Sequence, residues 1–174
     1  MNEFTVSVVG EDRPGIVAAV TGALLDLGGN VENARASILS GSFALVLAVN
    51  MPDGATTADV ENALAPTLSG MNLSAGVRPC TGTQFSSTGA HAVITVYGGD
   101  RPGIVHGTAQ ALADHGVNVM DLSSRLVGDP PIYVLGIGVQ LADGMTLESL
   151  EDCLRCDALR GLDISVQPDD DGLM

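Results

Sequence analysis

Apolar and polar residues alternate from Thr5 to Val9, with Val6 and Val8 set against Thr5 and Ser7. That two-residue period marks a half-buried strand. Thr95–Tyr97 repeats it less cleanly. After a turn at Gly10–Arg13, Pro14 suits the first helical position, where its missing N–H costs nothing. Ile16, Val17, Val20, Ala23, Leu24 and Leu27 then recur at helical spacing up to a Gly28-Gly29 stop, and Ile104, Val105, Thr108, Ala111 and Leu112 do the same before Gly116. Second strands are expected from Val31 towards Ile38 and from Val119 towards Val127. Ser40-Gly41-Ser42 turns into a third strand, Phe43–Val49, matched later by Ile132–Val139. The third strand is apolar throughout, which predicts cover on both faces: helices on one, a partner sheet or subunit on the other. Second helices follow near Ala58–Leu68, weakened at its end by Pro66, and near Leu147–Leu159. Short strands at Asn72–Arg78 and Asp163–Gln167 close the two patterns.

The pattern is written twice. Asp-Arg-Pro-Gly-Ile-Val occupies 12–17 and again 100–105, a shift of 88 residues, and at that shift Gly10 meets Gly98, Leu24 meets Leu112, Gly28 meets Gly116 and Asn30 meets Asn118. Further on the shift is 90, which places a two-residue gain near Asp129-Pro130-Pro131. An identical hexapeptide with in-register matches on both sides signals a duplication. Each copy reads β-α-β-β-α-β, so the fold class is α+β: two tandem ferredoxin-like units, each an antiparallel four-stranded sheet with both helices on one face. The expected domains are 1–79 and 91–174, the latter ending in an acidic tail at Asp169–Asp171, joined by a Gly/Ser/Thr-rich linker at 80–90.

Composition narrows the function. With 45% hydrophobic residues the chain can bury a core, and with 3% aromatics that core must be aliphatic. Seven basic residues against 21 acidic give a formal net charge of −14. DNA affinity comes largely from cations neutralising phosphates, so direct nucleic-acid binding and adhesion to an anionic membrane are both disfavoured. Any effect on transcription is expected to run through another protein. The N-terminal residues lack the pattern of a signal peptide and no long apolar run reads as a membrane span, which points to the cytoplasm. Three cysteines make no disulfide framework.

The sharpest chemistry lies in the twin turns Gly10–Gly15 and Gly98–Gly103. A helix opened by such a turn leaves its first N–H groups without intrahelical partners, and glycine lets a ligand approach that backbone. The helix dipole adds partial positive charge, a seat for a carboxylate. The Asn30 and Asn118 amides offer both a donor and an acceptor. Each feature also has a structural reading: Asp12 as a helix cap, Pro-Gly as turn geometry, Asn30 as a left-handed turn residue.

The repeated Asp-Arg-Pro-Gly-Ile-Val after a strand, followed about 13 residues later by Gly-Gly-Asn-Val or Gly-Val-Asn-Val, resembles the ACT domain family over 4–78 and 92–168. Two such copies and nothing else look most like the glycine cleavage system transcriptional repressor group. The resemblance implies a non-catalytic protein without a cofactor that binds an amino acid or similar small metabolite between paired domains. It would respond by a population shift read by a regulatory protein partner, most simply as a homodimer. Carried over, the ligand-binding candidates are Asp12, Gly15, Ile16, Asn30 and Val31, with Asp100, Gly103, Ile104, Asn118 and Val119. His106, where the first copy has Ala18, stands close enough to the second turn to join them. Glu11 likewise becomes Gly99, so the two sites need not be equivalent.

Cys153-Leu154-Arg155-Cys156 has zinc or redox spacing, but it falls within an expected helix and a four-ligand site would have only Cys80 and three histidines to draw on, so no metal site is expected. No Ser/His/Asp or Cys/His set can be assembled from His91, His106 and His115. The alternatives to a ligand sensor are a protein-interaction scaffold with empty sites and, less favoured, a small enzyme.

Overall fold

The computed structural model describes residues 2–80, 89–155 and 159–169. The chain divides into two compact units, Met1–Gln84 and Phe85–Met174. The first contains β1 (Asn2–Glu11), α1 (Ile16–Asp26), β2 (Asn30–Leu39), β3 (Ser42–Met51), α2 (Thr57–Met71) and β4 (Leu73–Pro79). The second contains β5 (His91–Gly98), α3 (Ile104–Asp114), β6 (Asn118–Val127), β7 (Ile132–Gln140), α4 (Leu147–Cys153) and β8 (Asp163–Pro168). Strand orders are β2-β3-β1-β4 and β6-β7-β5-β8, every pairing antiparallel. This is the ferredoxin-like arrangement, twice. The linker expected at 80–90 falls mostly on 81–88, which with Cys156 and the tail from 170 lies outside the described residues.

Alternation along the central strands builds each core. Phe4, Val6 and Val8 of β1 face the same side as Leu45, Leu47 and Val49 of β3, and all are buried against Ile16, Val20 and Leu24 of α1 and Val60 and Leu64 of α2. Ile94, Val96, Leu135, Ile137 and Val139 repeat the arrangement with Ile104 and Leu112 of α3 and Leu150 of α4. Within the first unit the helices supply the expected cover on one face of the third strand. Both helices lie on one side, and Val46, on the other face of β3, stays 48% exposed. Ala44, Val46 and Ala48 make that strand apolar without burying it, because small side chains beside Thr5 and Ser7 leave a shallow, partly wetted surface.

The helix ends follow local rules. α1 and α3 stop in the same motif: Gly28 and Gly116, both left-handed, donate to Leu25 and Ala113, while Gly29 and Val117 donate to Leu24 and Leu112. α2 runs past Pro66 to Met71, so the lost hydrogen bond does not end the helix. The β2–β3 hairpin turns on two residues, Ser40 and Gly41, both at positive φ. The matching turn between β6 and β7 spans 128–131, which is where the sequence placed its two-residue gain.

α2 and α4 are opened by threonines. The Thr56 hydroxyl accepts from the Asp59 N–H at 3.3 Å, and Thr146 accepts from Ser149 at 3.2 Å. Thr56→Ala and Thr146→Ala are each expected to cost about 1 kcal/mol in urea unfolding. Asp59 returns the first contact, accepting from the Thr56 hydroxyl at 2.7 Å and the Thr56 N–H at 2.9 Å, and these bonds hold its carboxyl below the ordinary value of 3.8. A depressed folded pKa contributes stability above the unfolded value, lost as the pH falls through the folded one. The cost of Thr56→Ala should therefore shrink as the pH falls through and below the ordinary carboxyl range, whereas Thr146→Ala, with a serine at the matching position, should show no such trend.

Candidate functional site

The two turns share one geometry. Gly15 sits at φ 95°, ψ −8° and Gly103 at φ 94°, ψ −2°, both left-handed, each immediately before its helix. Pro14 and Pro102 therefore belong to the turn, and the helices open at Ile16 and Ile104, not at the proline. Neither helix has a side-chain cap, so Asp12 and Asp100 do not serve as one. The first backbone bonds run from Ala19 to Gly15 at 2.9 Å and from Gly107 to Gly103 at 2.8 Å. A turn closes over Pro14–Gly15 and Pro102–Gly103 ahead of each helix, and of the amides before those bonds Val17 and Ala18, and Val105 and His106, find no backbone acceptor among the described residues. Each helix start thus presents two N–H donors beside an exposed glycine, with open space where a Cβ would stand. Such a group can hold a carboxylate or another small anion.

The predicted residues are placed unevenly. Gly15, Gly103, Asp12, Asp100 and His106 are exposed around the turns. Ile16 and Ile104 are buried, at 2% and 3% exposure, so only their backbone can meet a ligand. Asn30 and Asn118 are not left-handed turn residues; they are the first residues of β2 and β6. Within a unit they lie far from the turns. Gly10 pairs with Phe43 of β3, whereas Asn30 pairs with Asn50, seven residues along the same strand. At about 3.4 Å per residue that is roughly 24 Å. One unit does not bring the turn and the asparagine together around a small molecule.

Two roles were missed in the sequence. Arg13 Nη2 donates to the Met71 carbonyl at the end of α2, and Arg101 Nη2 donates to the Arg160 carbonyl at 2.7 Å. The arginine of the repeated motif therefore straps its turn to the loop before the last strand, supplying a cation where helix carbonyls lack partners. In the first unit the Asp12 N–H adds a bond of 2.9 Å to the Gly41 carbonyl of the hairpin. Gly10 is needed for close approach, since a Cβ there would stand 2.4 Å from the Leu73 side chain. The invariance of Arg13 and Gly10 between the two copies was the available signal.

Other candidates have structural explanations. His115 caps α3, its Nδ1 2.8 Å from the Ala111 carbonyl. The Cys153 thiol donates to Leu150 at 3.0 Å, while Cys156 lies outside the described residues. Among the described residues no group of three or more His, Cys, Asp or Glu could hold a metal ion, and no helix is long and apolar enough to cross a membrane. Open concavities occur elsewhere, at Asn2, Phe4, Thr56 and Cys80 (about 650 Å³) and between α1 and α2 at Ala19, Gly22 and Ala63 (about 530 Å³); none of the predicted residues lines them.

The ACT domain family model matches residues 2–77 and 90–167. The chain belongs to the ACT domain family. Part of the chain resembles shorter relatives: a UPF0237 protein of Methanopyrus kandleri is 35% identical over 79 residues, covering 45% of this chain and 88% of that protein. A UPF0237 protein of Corynebacterium diphtheriae is 38% identical over 69 residues, 39% of this chain and 78% of its own. Among solved structures, an unknown protein from Galdieria sulphuraria matches with a TM-score of 0.83 at 26% identity, covering 97% of this ACT chain and 98% of its own. A protein described as a candidate glycine cleavage system transcriptional repressor matches with a TM-score of 0.73 at 22% identity over 97% of both chains, a likeness of fold.

The left-handed ACT glycines yield a prediction separate from ligand binding. No atom lies within 4 Å of a Cβ added at Gly15 or Gly103, yet the backbone conformation costs an L-residue about 1–2 kcal/mol. Gly15→Ala and Gly103→Ala should each lose roughly that much stability by chemical denaturation, with no steric clash to relieve.

Proposed function

We propose that this chain is a non-catalytic, cytoplasmic regulatory protein that binds an amino acid through its ACT units and passes the signal to a protein partner. The observation that carries the reading is the twin helix start, where uncapped amides stand beside an exposed left-handed glycine in both units. A carboxylate is the natural guest of such donors. The residues proposed to contribute are Asp12, Gly15 and the Ile16 backbone at one end, Asn30 and Val31 at the other, and Asp100, Gly103, Ile104, His106, Asn118 and Val119 in the second unit. Since roughly 24 Å separates the two ends within one unit, a small ligand needs the complementary end from another ACT unit, and the reading includes a homodimer. Ligand binding then favours one assembly over another, which a partner protein detects. The formal charge of −14 argues for a protein partner rather than DNA. Control of glycine cleavage genes is the specific role supported by the described function of the fold neighbour.

Thermal unfolding of the full chain against the twenty amino acids tests the reading. A ligand of the folded state adds about 2.7 kcal/mol at a hundred times its dissociation constant. One compound is expected to raise the midpoint in a concentration-dependent way. Asn30→Ala with Asn118→Ala should abolish the rise while leaving the unliganded midpoint within about 2 °C, because exposed or half-exposed positions outside the cores and caps contribute little. Glycine variants are unsuitable here, since their backbone strain lowers the midpoint by itself. No rise with any amino acid would sink the proposal in favour of a ligand-free scaffold.

A further inference from the structure

The second helices of the two units differ, α2 with 15 residues and α4 with 7. The three residues that lead into each last strand nevertheless repeat one arrangement. The Met71 carbonyl accepts from Arg13, Asn72 is left-handed at φ 52°, and Leu73 packs on Gly10. The Arg160 carbonyl accepts from Arg101, Gly161 is left-handed at φ 80°, and Leu162 packs on Gly98. A Cβ on Gly10 would stand 2.4 Å from the Leu73 side chain, and one on Gly98 2.7 Å from Leu162. Asn72 is one of two non-glycine residues at positive φ among the described residues, a conformation kept only where the surroundings hold it.

The copies agree where the joint uses a side chain or its absence, and differ where it uses only backbone. Leucine and the strand glycine are the same in both. Met71 and Arg160 lend a carbonyl, Asn72 and Gly161 a left-handed turn, and these side chains have diverged. Each joint is gripped twice by the segment that opens the first helix, through the strand glycine and through the arginine. Between that arginine and the left-handed glycine stands one residue, Pro14 or Pro102, whose ring fixes its φ. A shift at Gly15 or Gly103 therefore carries the arginine with it. The joint in turn heads β4 or β8, an outermost strand of its sheet.

We infer that the helix-start turn and the head of the last strand open and close as one unit, with Arg13 or Arg101 as the link, so that a change at the turn is delivered to the sheet edge. The warrant is a continuous path of bonded and packed groups inside each unit. The use of this link in signalling rests on the amino-acid reading above; the link itself belongs to the fold.

Amide hydrogen exchange of the full chain, read by NMR and scaled to residues 45–49 of β3 and 135–139 of β7, tests the link without a ligand. Gly15→Ala disturbs the turn, and its Cβ meets no atom within 4 Å. It is expected to speed exchange at residues 72–74 about fivefold or more. In an Arg13→Gln background the same substitution should leave those amides unchanged, and an Arg13→Lys background should restore part of the response. Gly103→Ala with and without Arg101→Gln, read at residues 161–163, repeats the cycle in the second unit and keeps the test decisive if a variant of the first fails to fold. No response at either joint, or a response of equal size without the arginine, overturns the inference. The amino-acid reading stands in both cases, because no ligand enters the experiment.

Discussion

Both units depend on a glycine held in the left-handed region where the first strand turns into the first helix. At φ 95° and 94°, Gly15 and Gly103 reverse the chain sharply enough for the next residue, Ile16 or Ile104, to drop into the core within one step of the turn. The same conformation leaves each helix without a side-chain cap. A conventional Ser, Thr or Asp cap satisfies an early amide and strengthens the helix; α2 and α4 are built that way and α1 and α3 are not. The uncapped starts forgo local stability, and the loss is offset elsewhere. Arg13 and Arg101 tie the turns to carbonyls across the unit, and both helices end in a fully bonded glycine motif. A helix anchored at its end and along its buried face can leave its first amides open.

Much of the fold was legible because the sheet buries one face. Val6 and Val8 alternate with Thr5 and Ser7, so the first strand declares its period, and duplication lets the clean copy interpret the less regular Thr95–Tyr97. The hairpin insertion was also readable, since a change in repeat spacing from 88 to 90 must fall between two matched strands. Phe43–Val49 is apolar on both faces, and within the first unit the helices cover only the face that carries Phe43, Leu45, Leu47 and Val49. Pro14 was misleading. Proline suits a helix start, but the following glycine can adopt a conformation that delays the helix by two residues, and composition does not distinguish the two outcomes.

The site was legible in its parts and not in its assembly. Gly15 and Asn30 are 15 residues apart in the chain, a spacing that carries no measure of their separation in space. An intervening helix carries the chain the full length of the sheet, so residues at its two ends are separated by the length of a strand. Strand pairing shows this through the partners of Gly10 and Asn30 on β3. The strapping role of Arg13 was hidden because its acceptor is a backbone carbonyl 58 residues away, which leaves no mark on side-chain identity.

Divergence between the copies follows from which positions the fold can spare. The left-handed glycine, the strapping arginine, the buried isoleucine and the strand-opening asparagine recur in both units, and all but the asparagine have a demonstrated structural task. Glu32 and Met120 occupy a bulge, where the added residue is outside the pairing and contributes nothing to the core. Gly29 and Val117 show the opposite situation: a Cβ on Gly29 would stand 2.6 Å from the Met51 sulfur, so that position can change only together with its neighbours, and Leu141 stands where Met51 does. Core positions change as coupled sets and bulge positions change alone. The chemistry of the strand ends can therefore separate between the two units while their backbones remain the same.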